Sequence, residues 1–328
     1  MRYIIRKVTL FIVTLWAAIT LNFALPRLMP GSPVDAALAK FASTGQQITD
    51  AQRQAIEVQL GVPHSNVFSQ YAQYWKSIFT LNFGSSYSFP TETVAHTIGK
   101  ALPWTILLVG STTVIAFTIG TLLGVYAGWR RGTKADSSVT IGATFFAAFP
   151  PFWLGLLFLY LLAFKFDIFP LKGGYNEGAT PSFTWPFIRD AIVHSILPAA
   201  TLAVTSLSGW VFGMRNNMIN TLGEDYVTFA EANGLRSRTV ALLYAARNAL
   251  LPNVTAFGLS LGAVVGGSVL VEGVYSYPGL GNLLYIAVSN HDFPLMQALF
   301  LVITVSMLVA IFLVDLIYVR LDPRVRTS

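Results

Sequence analysis

The 328 residues contain no cysteine, and charge is scarce: 11% of the chain is Asp, Glu, Lys or Arg, against about 25% in a soluble domain. The first absence excludes disulfides, thiolate metal sites and cysteine nucleophiles, and is silent on compartment. Histidine is rare too. His64, His96, His194 and His291 are not spaced as a helical metal pair, and no carboxylate–histidine cluster accompanies them. There is no G-x-x-x-x-G-K-[ST] phosphate loop and no G-x-S-x-G nucleophile turn. The chain therefore reads as carrying no catalytic residues, metal or cofactor of its own. Any ATP would be bound by another chain.

What is present is apolar surface in blocks. Hydrophobic residues make up 54% of the chain, and the mean hydropathy is +0.60. A helical span needs roughly 20 mostly apolar residues to cross about 30 Å of hydrocarbon. Six blocks qualify, at about 8–25, 102–128, 138–164, 191–213, 251–274 and 295–319. Backbone polar groups in lipid must be satisfied locally, so the expectation is an all-α membrane protein with six transmembrane helices. The first block follows Arg2, Arg6 and Lys7 but runs on to Leu25 with no small-x-small cleavage pattern. It reads as a retained anchor.

Lys and Arg concentrate on cytoplasmic loops. Placing the N-terminus inside puts Arg2, Arg6, Lys7, Arg130, Arg131, Lys134, Arg215, Arg236, Arg238, Arg247, Arg320, Arg324 and Arg326 on that side, 13 of the 21 basic residues. The net charge of +6 is then an orientation signal rather than a nucleic-acid footprint, and both termini are expected in the cytoplasm.

On this reading residues 1–101 hold the first span and a long external segment, and 102–328 a five-helix core with a cytoplasmic insert at about 213–250. In the external segment Thr49 and Gln52 have capping-box spacing, and Gly61 and Pro63 end the helix they would start. Phe68, Tyr71, Trp75 and Ile78 follow at helical spacing, beside Tyr74 and Phe79. They suit an aromatic face at the membrane interface, or a lid or docking surface. Glycines recur every fourth residue, as Gly120, Gly124 and Gly128 and as Gly258, Gly262 and Gly266. Such stripes let helix backbones approach closely, as static packing or as an interface able to slide. Pro150-Pro151 should bend the third span, for packing or to line a pathway. Asp315 is the acid well inside a span, and Arg320 is positioned to pair with it.

The most informative stretch is the polar insert from Asp225 to Pro252. Asp225 can cap a helix from Tyr226 to about Asn233, Asn233-Gly234 suits its left-handed end, and Ser237 can cap a second helix leading to Pro252. Ala230, Ala232 and Gly234 would give the junction a small-residue surface that fits a groove on another protein. A mere connector on the membrane surface would need more continuous apolar residues.

The spacing A-x-A-x-G followed by Leu250-Leu251-Pro252 resembles the signature of permease subunits of bacterial ATP-binding-cassette (ABC) importers. The chain is similar to the dipeptide/oligopeptide/nickel permease family over nearly its whole length. The likeness is carried by PGSP at Pro30–Pro33, QYAQYW followed by LNFGSSYSF, HSILPAATLA from His194, SVLVEGVYSYPGLGNLL from Ser268 and DLIYVRLDPRVR from Asp315. Where the older signature has Glu-Ala-Ala, this chain has Thr228-Phe229-Ala230.

The resemblance implies a type I ABC importer fold in the bacterial inner membrane. It implies a second homologous permease, two ATPase subunits that bind ATP and Mg, and an external substrate-binding protein. It casts Tyr226, Thr228, Phe229, Ala230, Ala232, Gly234, Leu235, Ser237 and Arg238 as the contact to an ATPase. Glu272, Tyr275, Tyr277, Pro278 and Asp292 are expected to shape an outer gate or meet the binding protein, or else to form a rigid turn. Peptides are the first expectation for the solute, with oligosaccharides or nickel chelates as alternatives. A self-contained channel or secondary transporter would instead show midplane ionisable residues or matched broken helices, and neither is evident.

Overall fold

The computed structural model describes residues 2–28, 49, 66–89 and 91–321, with side chains for 6–25, 27–28, 49, 66–89 and 91–313. The expected helix after Thr49, the Pro30–Pro33 motif and the side chains of the Asp315–Arg320 pair lie outside what is described. Eleven helices make up the described chain, and its only β-type contact is an isolated bridge between Ser85 and Thr93. They are α1 (Arg2–Leu28), α2 (Val67–Thr80), α3 (Val94–Trp129), α4 (Lys134–Ala147), α5 (Pro151–Lys165), α6 (Trp185–Leu222), α7 (Asp225–Ala232), α8 (Ser237–Gly266), α9 (Val269–Val274), α10 (Leu280–Ser289) and α11 (Phe293–Leu321).

Five helices are long and apolar enough to cross a membrane: α1, α3, α6, α8 and α11. The sixth block, expected as one span over 138–164, is broken. Helices α4 and α5 meet at 92°. Proline disfavours helical backbone in the residue before it, and at a first helical position its missing N–H costs nothing. Pro150 is extended (φ −59°, ψ 138°) and Pro151 opens α5, so the pair ends one helix and starts another. The fifth block differs as well. Its helix begins at Ser237, includes a π-helical stretch at Val240–Ala246, carries Pro252 inside the α-helical stretch that follows, and stops at Gly266 rather than 274.

The centre of the bundle is α3 against α6. An added Cβ on Gly120 would lie 2.5 Å from Trp210 Cβ, one on Gly124 2.7 Å from Met214 Cβ, and one on Gly128 2.6 Å from Met218 Cβ. Contacts advance together along both helices, so the two run parallel. Helix α8 packs antiparallel to α11, with Gly262 on Ala310 and Gly266 beside Ile303, while Gly258 is half-buried. Helix α1 lies on α11, where Phe11 and Phe312 approach to 4.9 Å between ring centroids.

The aromatic face of α2 does not lie free at an interface. Tyr71, Tyr74, Trp75 and Ile78 pack on Ile19 and Phe23 of α1 and on Leu301 of α11, leaving Phe68 and Phe79 exposed. Exposed Leu10, Val13, Trp16 and Leu21 on α1 and Leu107, Leu122 and Ile141 in the core suit a lipid environment, where apolar exposure carries no penalty.

One end of the bundle holds the α3–α4 turn and the insert between α6 and α8, and is rich in arginine. There Asp136 joins α4 to α6 by accepting two bonds from Arg215, at 2.6 and 2.9 Å, with a third from the Gly132 N–H at 3.0 Å. At the other end α9 and α10 fold back between α3, α5 and α11 around two apolar clusters. One is built on Leu280, Leu284, Leu295 and Leu299, the other on Leu108, Leu197, Tyr275 and Tyr277.

Candidate functional site

The insert folds into a compact knob. Glu224 holds extended backbone at the helix start, with no side-chain cap, and Asp225 sits in the first turn, where negative charge suits the helix dipole. At the far end the Gly234 N–H donates to Glu231 O at 2.9 Å, and Gly234 takes φ +75°, a left-handed conformation that glycine enters without a Cβ penalty. Helix α8 then starts at Ser237, whose hydroxyl makes no cap bond.

Val227 and Ala230 turn inward onto Val240, Trp129 and Leu222 and are almost fully buried. Ala230, expected on the docking surface, is therefore part of the brace that fixes α7 to the spans: an eight-residue helix needs an apolar anchor more than it needs a smooth face. The outward face is formed by Tyr226, Thr228, Phe229, Ala232, Gly234, Leu235, Ser237 and Arg238. Phe229 is 71% exposed at its summit. A Cβ at Gly234 would meet nothing within 4 Å, so the constraint there is conformational.

The expected outer group is organised differently from a contact surface. Glu272, Tyr275, Tyr277 and Asp292 are buried, and Pro278 is half-buried against Gly174. The four buried side chains lie beneath the surface of this chain rather than on it. They brace the segment formed by α9 and α10. Glu272 accepts from the N–H groups of Gly281 (2.8 Å), Ser268 (3.3 Å) and Asn282 (3.4 Å) and from the Thr105 hydroxyl (3.2 Å). Gly279 and Gly281 leave the room: a Cβ on Gly281 would lie 3.0 Å from the carboxylate, and one on Gly279 would collide with it. The Tyr275 hydroxyl donates to Gly155 O of α5 and contacts Thr201 of α6, each at 3.0 Å, while Tyr277 reaches Ser195 at 3.1 Å. Asp292 accepts from Ser86 Oγ at 2.5 Å and the Ser88 N–H at 2.8 Å, tying the α10–α11 turn to the segment before α3. Burial, with Asp292 adding to it, pushes the Tyr87 hydroxyl up to about 12.

The partners of these acids were not evident in the sequence. Thr105, Ser86 and Ser88 are ordinary polar residues until the fold sets them against Glu272 and Asp292. Asp136 carried one hint, its place in the first turn of a helix. Among the described residues no three His, Asp or Glu side chains converge on a metal site.

Residues 120–327 match the family described as binding-protein-dependent transport system inner membrane component. The chain belongs to that family. It is 32% identical to the oligopeptide transport system permease protein AppB of Bacillus subtilis (strain 168), covering 98% of each chain. It is also 32% identical to the di/tripeptide transport system permease protein DppB of Pseudomonas aeruginosa (strain UCBPP-PA14), over 99% of this chain and 98% of that one. Identity to the dipeptide transport system permease protein DppB of Escherichia coli (strain K12) is 28%, over 99% of both. The protein is thus a multi-pass inner-membrane permease subunit of an ABC importer.

Proposed function

We propose that the chain forms half of the translocation pathway of an ATP-driven peptide importer. A second permease supplies the other half. Two ATPases that bind ATP and Mg dock on the arginine-rich end, and an external binding protein delivers the solute at the opposite end. The distribution of Lys and Arg supports a cytoplasmic arginine-rich end, with both termini on that side. The printed names of the relatives, oligopeptide and di/tripeptide permeases, support peptides as the solute class.

The observation that carries the reading is the knob: an exposed aromatic on a short helix whose inner face is locked to three spans. Driving a two-state transporter from 1:99 to 99:1 takes about 5.5 kcal/mol of differential interaction. A lone exposed ion pair supplies about 0–1 kcal/mol. Force must therefore pass through a packed unit, and α7 is anchored as one. The buried braces at Glu272 and Asp292 serve as the rigid frame of the outer gate.

The test is Gly234→Asp or Gly234→Trp in the assembled transporter. Both variants should insert and assemble while ATP hydrolysis is uncoupled from uptake. Wild-type peptide uptake in both would remove the knob from the coupling path.

A further inference from the structure

Beside the knob lies a cleft of about 360 Å³ lined by Tyr226 of α7 and by Leu243, Tyr244, Arg247, Asn248 and Leu251 of α8. Its size falls within the roughly 300–1,000 Å³ of small-molecule sites. We propose that it binds the phosphodiester headgroup of an anionic phospholipid, with Arg247 as the anchoring cation.

The chemistry of the lining selects the ligand. Arg247 is exposed and makes no ion pair among the described residues. The Asn248 side-chain amide donates to the Tyr226 hydroxyl at 2.9 Å and to Tyr244 O at 3.2 Å. Both of its N–H groups are thereby engaged, and the Tyr226 hydroxyl, already accepting, keeps its own proton to give. Arg247, Tyr226 and Tyr244 thus line the cleft with side-chain donors that no hydrogen bond among the described residues spends, while Asn248 Oδ1 and the phenolic oxygens are its side-chain acceptors. That donor-rich, positive lining fits a phosphate, which offers several acceptor oxygens and a charge. Leu243 and Leu251 form the rest of the lining and are 64% and 66% exposed. An apolar wall beside a cationic one asks for an amphiphile, not a free anion.

Depth in the bundle agrees. From Arg247 to the end of α8 at Gly266 is about 29 Å of helix, close to the roughly 30 Å of a hydrocarbon core. Gly128, one residue before Trp129 closes α3, packs on Met218, and Met218 shares a cluster with Ala245 and Ala249. Arg247 therefore sits level with the end of α3, beside Arg130 and Arg131 in height, where headgroups are expected. A lipid held there would bridge α7 and α8 at the joint between knob and span.

The test is native mass spectrometry of the purified full chain titrated with phosphatidylglycerol, phosphatidylcholine or inorganic phosphate. The wild type should retain phosphatidylglycerol at least tenfold more tightly than phosphatidylcholine. Arg247→Gln should weaken that retention about tenfold or more, the scale of one lost charge-assisted bond. Tyr226→Phe should weaken it by a smaller factor, and Arg130→Gln, at the same level but outside the cleft, should leave it unchanged. Equal retention by wild type and Arg247→Gln would overturn the proposal, as would equal retention of both lipids. Binding of inorganic phosphate as tight as that of the lipid would reassign the cleft to a free anion. An isolated chain that holds no lipid there would leave the cleft to an acidic side chain of a partner protein.

Discussion

Removing the Glu272 carboxylate should unlock the segment formed by α9 and α10, and the structure sets the size of the effect. In Glu272→Ala the N–H groups of Gly281, Ser268 and Asn282 and the Thr105 hydroxyl lose an acceptor that is itself fully buried. A buried donor left unsatisfied costs about 1–3 kcal/mol. The Gly281 bond, at 2.8 Å, is the strongest of the backbone three, and those from Ser268 and Asn282 are longer. Counting Gly281 near the middle of that range and the other two near the bottom gives about 4 kcal/mol, before any cavity term. Against a total stability of about 5–15 kcal/mol, that is a large fraction. Glu272→Gln keeps the shape and one acceptor oxygen, so it should cost about 1–3 kcal/mol. The assay is thermal unfolding of the purified full chain in detergent, followed by tryptophan fluorescence, for which Trp104, 5.8 Å from the Tyr277 ring, is a local reporter. The expected melting temperature is highest for the wild type, lower for Glu272→Gln and lowest for Glu272→Ala. Should Glu272→Ala fail to accumulate, Glu272→Gln and Thr105→Val still report. An alanine variant that melts with the wild type would refute the brace.

Gly124→Leu should separate α3 from α6: its Cβ would lie 2.7 Å from both Met214 Cβ and the Val211 carbonyl oxygen, and overpacking of this kind costs about 1–3 kcal/mol or more. Gly142→Leu, with nothing within 4 Å of its Cβ, is the matched control, and the same melting assay should show a loss only for Gly124. Asp136→Asn should destabilise by about 3 kcal/mol, the lower end for breaking a buried pair, because the Arg215 side chain keeps 22% of its exposure. Protease sensitivity of the α3–α4 turn in detergent would register it.

Much of the architecture could be read from residue patterns, because apolar length and glycine spacing act locally. The stripe at Gly120, Gly124 and Gly128 announced a close helix contact, and the fold supplies its partner. What could not be read was how far each proline interrupts its helix. Pro151 and Pro252 look alike in sequence, yet one opens a new helix and the other sits inside α8. The difference lies in the preceding residues: a second proline precedes Pro151, whereas the turn before Pro252 belongs to a helix already running from Ser237. The same holds at the two candidate regions. The turn at Gly234 was legible from the asparagine–glycine pair. The inward direction of Ala230 and the burial of Glu272 were not, since both depend on residues far away in the chain, Trp129 in one case and Thr105 in the other.

The glycine groove between α3 and α6 has a mechanical consequence. Two helices in close backbone contact over about two turns cannot bend independently there, so they move as one girder. That girder carries the Leu222 end of α6, against which the knob is seated, and the Ser195 end, where Tyr277 is held. The two points are about 40 Å apart along the helix. A tilt of about 10° at one would displace the other by about 7 Å on that same rise per residue. A small rotation at the arginine-rich end therefore becomes, by leverage alone, a displacement of several ångströms at the far end of α6.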